Sequence, residues 1–125
     1  MSGFDVHTIL DNAIAQYNNG RFQEAVQLSN QILKNSPGNP DALNLLGIMA
    51  FQRGKLDMAT KLLQKAVQNA PDRPSFLNNL ANLLMEQNRV DEALKIYYRV
   101  LRIKPDLAEV RHNIGCLLQR QGRLK

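Results

Sequence analysis

The chain has 125 residues, 44% hydrophobic and 22% charged, with one cysteine and a formal charge of +5; this is the composition of an ordered globular protein and excludes a disordered tail. Polar residues interrupt the apolar ones every few positions, so no run approaches the roughly 18 apolar residues of a membrane span; the start, Met1-Ser2-Gly3-Phe4-Asp5, lacks the basic and apolar regions of a secretory signal, and a cytoplasmic location is expected. The lone thiol, Cys116, forms neither an internal disulfide nor a structural zinc site, and the net charge lies after residue 88, where nine Lys or Arg stand against four Asp or Glu.

In chain order, apolar residues recur at three- and four-residue steps and predict helices over 5–18, 22–35, 40–53, 56–69, 74–87, 90–103 and 107–121. No stretch alternates as a strand does. Gly20 closes the first helix, because Gly takes the left-handed conformation cheaply. Pro37 stops the second helix, and Asn39-Pro40 supplies a capping side chain followed by the ring favoured at a first helical position. The same punctuation then returns: Gly20, Gly54, Asn88 and Gly122, then Ala25, Ala59 and Ala93, then Pro37, Pro71 and Pro105 are three series with one 34-residue interval. A fixed period of this size marks stacked helix pairs, each unable to bury its apolar face alone. Ala13, Gly47, Ala81 and Gly115 fall at equivalent places on first helices, and Ala25, Ala59 and Ala93 on second helices, so small residue is expected against small residue at each close approach.

The 34-residue period, the pairs Leu46-Gly47 and Leu80-Ala81, the Gly turns, the central Ala and the closing Pro resemble the tetratricopeptide repeat family over residues 6–125. The aromatic residue common early in that family's first helix is replaced by Ile9, Leu43, Leu77 and Arg111. The resemblance implies one all-α domain with full repeats 6–39, 40–73 and 74–107 and a half repeat 108–125. It also implies a right-handed superhelix of seven helices, with a concave groove lined by first helices that holds a peptide or partner protein.

The helical wheel gives the groove-facing residues independently of the family. They are His7, Leu10, Asp11, Ile14 and Asn18, then Asp41, Asn44, Leu45, Ile48 and Gln52, then Ser75, Asn78, Asn79, Asn82 and Glu86, and last Glu109, His112, Asn113, Cys116 and Arg120. Tyr17, Phe51 and Met85 flank the same surface. Asn carries donor and acceptor together, so a row of Asn pairs with the backbone of an extended peptide whatever its side chains. The candidate peptide-binding residues are Asn44, Phe51, Asn78, Asn79, Asn82, Glu86, Asn113 and Arg120. Leu77-Asn78-Asn79-Leu80-Ala81-Asn82 and Asn113-Ile114-Gly115 resemble repeats of the O-linked N-acetylglucosamine transferases, whose Asn ladder holds substrate chains. Only Asn79 and Asn113 take the ladder place, with Asp11 and Leu45 in the first two copies. Modules that clamp the acidic tail of heat-shock chaperones place Lys, Arg and Asn where Leu10, Ile14, Leu45, Ser75 and Asn79 stand here. Four of the five are the wrong chemistry, and chaperone-tail binding is not expected.

Catalytic groups are not assembled. His112 and Cys116 share a helical face but lack a third ligand or an orienting acid. Asp91-Glu92 open a helix, where negative charge suits the N-terminal dipole. Tyr97-Tyr98 among Lys95, Arg99, Arg102 and Lys104 has the composition of a single-strand binder, but Tyr97 takes a core place, and nucleic acid is not expected. Neither enzyme activity of this chain nor a cofactor is expected. At Gly122-Arg123-Leu124-Lys125 the second helix of a fourth repeat would begin, so the sequence reads as part of something longer. Ile114, Leu117 and Leu118 would then be partly uncovered, and self-association through that end is expected. The function expected is a protein–protein interaction module, with a substrate-docking fragment of a larger glycosyltransferase-like enzyme or a self-assembling scaffold as alternatives.

Overall fold

A computed structural model describes residues 5–122. Among the described residues the chain is all-α: α1 (Val6–Asn18), α2 (Phe22–Asn35), α3 (Pro40–Gln52), α4 (Leu56–Asn69), α5 (Pro74–Glu86), α6 (Val90–Ile103) and α7 (Ala108–Arg120). No helix of the described residues is long and apolar enough to cross a membrane. Residues 1–4, part of the start read as lacking a secretory signal, and residues 123–125, where a further helix was expected to begin, lie outside the described residues.

The helix ends have the chemistry read from the sequence. Gly20, Gly54 and Gly122 have φ of 79°, 78° and 70°, and Asn88 joins them at 60°. At Gly20, Gly54 and Asn88 the left-handed residue lets two amides turn back onto the helix it ends. Gly20 N–H donates to Tyr17 C=O and Arg21 N–H to Gln16 C=O, and the same pair recurs as Gly54 to Phe51 with Lys55 to Ala50, and as Asn88 to Met85 with Arg89 to Leu84. This double bond pattern fills carbonyls the helix cannot satisfy itself and reverses the chain. At the other ends, Asn39 Oδ1 accepts from Ala42 N–H at 3.0 Å with Pro40 in the first turn. Asp5 accepts from the His7 and Thr8 amides and from the Thr8 hydroxyl at 2.7 Å. These bonds, the Thr8 hydroxyl foremost, hold the Asp5 carboxyl below its ordinary value.

The described residues form two compact units, one ending at Asn69 and the other beginning at Ala70. In the first, α1 packs on α2 and α3 on α4, with α2 joined to α3. Ala13, Ala25, Leu45 and Met49 form one core cluster, against which Tyr17, Val26, Leu28 and Leu46 pack. Asn69 at the end of α4 donates to Gly38 C=O at 2.8 Å and clasps the loop before α3. In the second unit α5 packs on α6 and α6 on α7, around Phe76, Leu77, Leu80, Leu83, Leu84, Leu94, Tyr97, Val100 and Val110. Arg99 donates to Pro71 C=O at 2.8 Å, and Gln121 to Asp91 at 3.1 Å, tying α7 to the start of α6.

Three expectations need correction. Leu45, placed on the groove face by the wheel, is buried with Ala13 and Ala25, because α3 also packs against α1. Ile114 and Leu117, expected to be partly uncovered, are buried at 6% and 0% exposure, and only Leu118 is intermediate; α7 turns its apolar stripe onto α6. The close approach at Gly47 is not small against small. A Cβ there would lie 2.6 Å from Leu63 Cδ2, so the missing side chain makes room for a buried leucine. Ser29 and Tyr97 occupy the place equivalent to Leu63 in the neighbouring copies, and all three are fully buried. A Cβ at Gly115, in register with Gly47, would meet nothing within 4 Å among the described residues.

The two helical glycines therefore respond in opposite senses. Gly47→Ala forces Leu63 from its place and should destabilise the protein by about 1–3 kcal/mol, whereas Gly115→Ala should stabilise it by up to about 1 kcal/mol through helix propensity alone. Urea unfolding of both variants checks this; equal shifts of the same sign would refute the assigned packing.

Candidate peptide-binding faces

On the first unit, the face of α3 opposite α4 carries Asn44, Ile48 and Phe51, all half-buried, and the exposed Gln52. Gln52 Nε2 donates to Tyr17 Oη at 2.7 Å, linking α3 to α1. The Tyr17 ring meets Phe22 edge-on at 5.6 Å, a favourable aromatic geometry that anchors the start of α2. Phe51 and Tyr17 are both half-buried, which is the partial exposure an apolar anchor site needs.

On the second unit, α5 brings Asn78, Asn79 and Asn82 onto one half-buried face beside the exposed Ser75 and Glu86. The Oδ1 of Asn78 is shielded from solvent and has no hydrogen-bond partner among the described residues. Asn82 and Asn113 are joined through α6: Tyr97 Oη donates to Asn82 Oδ1, and Asn113 Nδ2 approaches the same hydroxyl at 3.4 Å. Two of the candidate asparagines thus have one polar group each committed to a buried tyrosine. Arg120 is exposed at the end of α7, away from this network in sequence and on the same helix as Asn113.

Burial of the Tyr97 ring pushes its phenol up to about 12, an effect that the Asn113 bond opposes and the charge of Glu109 reinforces. The ring was expected in the core, and it is 0% exposed, so it is unavailable for stacking on a base. Its hydroxyl partners were not foreseen. The available signal was register, since Tyr97 holds the place of Leu63 and a phenol there needs a polar neighbour. His112 and Cys116 do meet, with Nε2 3.6 Å from Sγ on an exposed surface. Among the described residues no group of three metal-binding side chains forms around them.

Antiparallel helix pairs closed by a left-handed residue, repeating at 34 positions and exposing amide-bearing first helices, define a helical-repeat protein. Two tetratricopeptide repeat models match, over residues 10–74 and 50–114. The chain belongs to the tetratricopeptide repeat family. A search among curated proteins finds no match for it. Among solved structures it resembles an O-GlcNAc transferase of Thermobaculum terrenum, at 25% identity and a TM-score of 0.83, over 90% of this chain and 22% of the transferase. It also resembles MamA of AMB-1, at 28% identity and a TM-score of 0.80, over 96% of this chain and 66% of MamA. The first TPR of Spaghetti (RPAP3), bound to an HSP90 peptide, shares the fold at 18% identity and a TM-score of 0.86, over 94% of this chain and 95% of that one. The chain spans less than a quarter of the transferase's length, and the matched family models describe a helical repeat, not a catalytic domain.

Removing the Tyr97 hydroxyl tests the buried network. Tyr97→Phe leaves Asn82 Oδ1 without its donor and should cost about 1–3 kcal/mol at neutral pH. The raised phenol means that the unfolded chain loses this proton first, so the stabilisation is fully present below pH 10.0 and is lost as pH rises through about 12. Denaturant unfolding between pH 9 and 12 should show a steeper alkaline loss for the native chain than for Tyr97→Phe; parallel profiles would rule out the burial of the phenol.

Proposed function

We propose that the chain is a protein-interaction module that holds a segment of a partner polypeptide on the first-helix faces of its repeats. Membership of the tetratricopeptide repeat family supports the general role. The observation that carries the finer reading is the amide face of α5. Asn78, Asn79 and Asn82 lie together there, half-buried, beside the exposed Ser75 and Glu86. Such a row offers donors and acceptors together, to which the backbone N–H and C=O groups of an extended peptide are complementary. Glu86 on α5 and Asn113 and Arg120 on α7 extend this face with charge of both signs. In the first unit, Asn44 and Phe51 supply an amide and an apolar anchor on α3. Pairing through backbone groups makes the interaction tolerant of ligand sequence, and the flanking charges set its direction along the face.

A second reading, substrate docking within a larger group transferase, is favoured by the likeness to the Thermobaculum terrenum enzyme. In it the same α5 face recruits a polypeptide for a catalytic domain elsewhere. Self-association through the C-terminal end has lost two of the three apolar side chains on which that expectation rested, now that Ile114 and Leu117 are seen to be buried.

Peptides selected by phage display against the full chain provide the ligand for a test. Asn78→Ala/Asn79→Ala should keep the native circular dichroism and bind them about tenfold more weakly, as expected for the loss of hydrogen bonds worth about 0.5–1.5 kcal/mol each. Replacing single amides of the peptide by esters should reproduce that loss at one or two positions. Undiminished binding by the double variant would sink the backbone-pairing reading.

A further inference from the structure

Behind the first-helix faces, the first unit contains a second surface feature that peptide capture on α3 does not use. Helices α2, α3 and α4 enclose an open pocket of ≈ 450 Å³, within the range of about 300–1,000 Å³ typical of ligand sites. Its walls include Val26 and Leu33 of α2, Leu46 and Met49 of α3, and Met58 and Leu62 of α4. At about 100° per residue, Leu46, Met49 and Arg53 lie on the side of α3 opposite Asn44, Ile48 and Phe51. The pocket and the amide-bearing face therefore stand back to back on one helix. Met58 is 53% exposed, the highest value among the exposed large hydrophobic residues, so part of this apolar lining is uncovered.

The polar groups of the pocket have one sign. Arg53 and Lys55 line it together with Asn30, and no carboxylate does. Neither cation has an ion-pair partner among the described residues. An apolar cavity edged by two uncompensated cations is complementary to a large apolar side chain flanked by carboxylates. The chain's own C-terminal third, nine basic residues against four acidic, has the wrong charge to fill it.

We propose that this pocket is a second docking site, taking an acidic partner segment that inserts a single Leu, Phe or Met side chain among Leu46, Met49 and Met58 while its carboxylates pair with Arg53 and Lys55. The site is separate from the α3 and α5 amide faces, so one module engages two segments at once, one by its backbone and the other by an apolar anchor and charge.

The methionines provide the readout. Met49 and Met58 line the pocket, and Met85 lies on α5 outside it. Two phage libraries are panned against the full chain, each with one central Leu or Phe, flanked by Asp and Glu in one library and by Lys and Arg in the other. The acidic library should enrich and the basic one should not. With ¹³C-methyl methionine, assigned through Met58→Leu and Met85→Leu, the enriched peptide should shift Met49 and Met58 signals and leave Met85 in place. Arg53→Glu/Lys55→Glu should weaken it at least tenfold, and Met58→Asp should do the same without touching a buried position. Equal enrichment of both libraries, a shift of Met85 in place of Met49 and Met58, or full affinity in the charge-reversed variant would each overturn the proposal.

Discussion

The fold depends on one backbone conformation, the left-handed residue that ends each first helix. At Gly20, Gly54 and Asn88 a positive φ directs two successive amides back to carbonyls of the helix just finished. The following residues start the second helix at once, so the pair is antiparallel and in contact along its length. Everything that packs between the helices is set by that reversal. If the turn opened by a residue, Gly47 would no longer lie beneath Leu63, and the stripe of small residues would face the wrong neighbours. Asn88 shows that the requirement is conformational. A short polar side chain meets it at φ of 60°, where a branched one would be strained.

This constraint explains why so much of the fold was legible in the sequence. Helix ends are decided by local chemistry, and the chemistry was visible: Asn39-Pro40 for a start, Gly or Asn at 34-residue spacing for a stop. The observed boundaries of all seven helices accordingly fall within one residue of those expected. Faces were less legible than ends. A helical wheel gives the direction of a side chain but not what stands in that direction. Leu45 points toward the groove side of α3 and is buried nonetheless, because α1 stands there. Ile114 and Leu117 were judged by the absence of a following helix, although the preceding one, α6, already covers them.

The candidate site was readable as a set of residue types and not as a network. By resemblance Asn79 and Asn113 take the ladder position, and the periodicity placed Asn78, Asn79 and Asn82 on one face. It carried no information about Tyr97, which reaches from the second helix to hold Asn82 and Asn113 together. The effect is to divide the asparagines by role. Asn82 and Asn113 are oriented by a buried hydroxyl and held in place, while Asn78 keeps an acceptor that nothing within the described residues fills. An amide fixed from behind loses less rotamer freedom when a ligand arrives, so under the proposed function the buried tyrosine would aid binding through preorganisation as well as stability through burial.

The pocket beside Met58 follows from the same repeat logic applied to the other side of the helix. In the first unit α2 and α4 both pack on α3, and where the side chains at that junction are short or flexible a gap remains. In the first unit the junction is made by Val26, Leu46 and Ala50 with methionines at 49 and 58, and methionine is the side chain best able to reshape itself around a guest. An amide-bearing face on one side of α3 and an adaptable apolar pocket on the other are different solutions to recognition. Under the proposed function the first pairs with a backbone through hydrogen bonds. The second tolerates variation in the anchor and takes its selectivity from Arg53 and Lys55, whose charge excludes basic segments more strongly than the pocket's shape excludes any one apolar side chain.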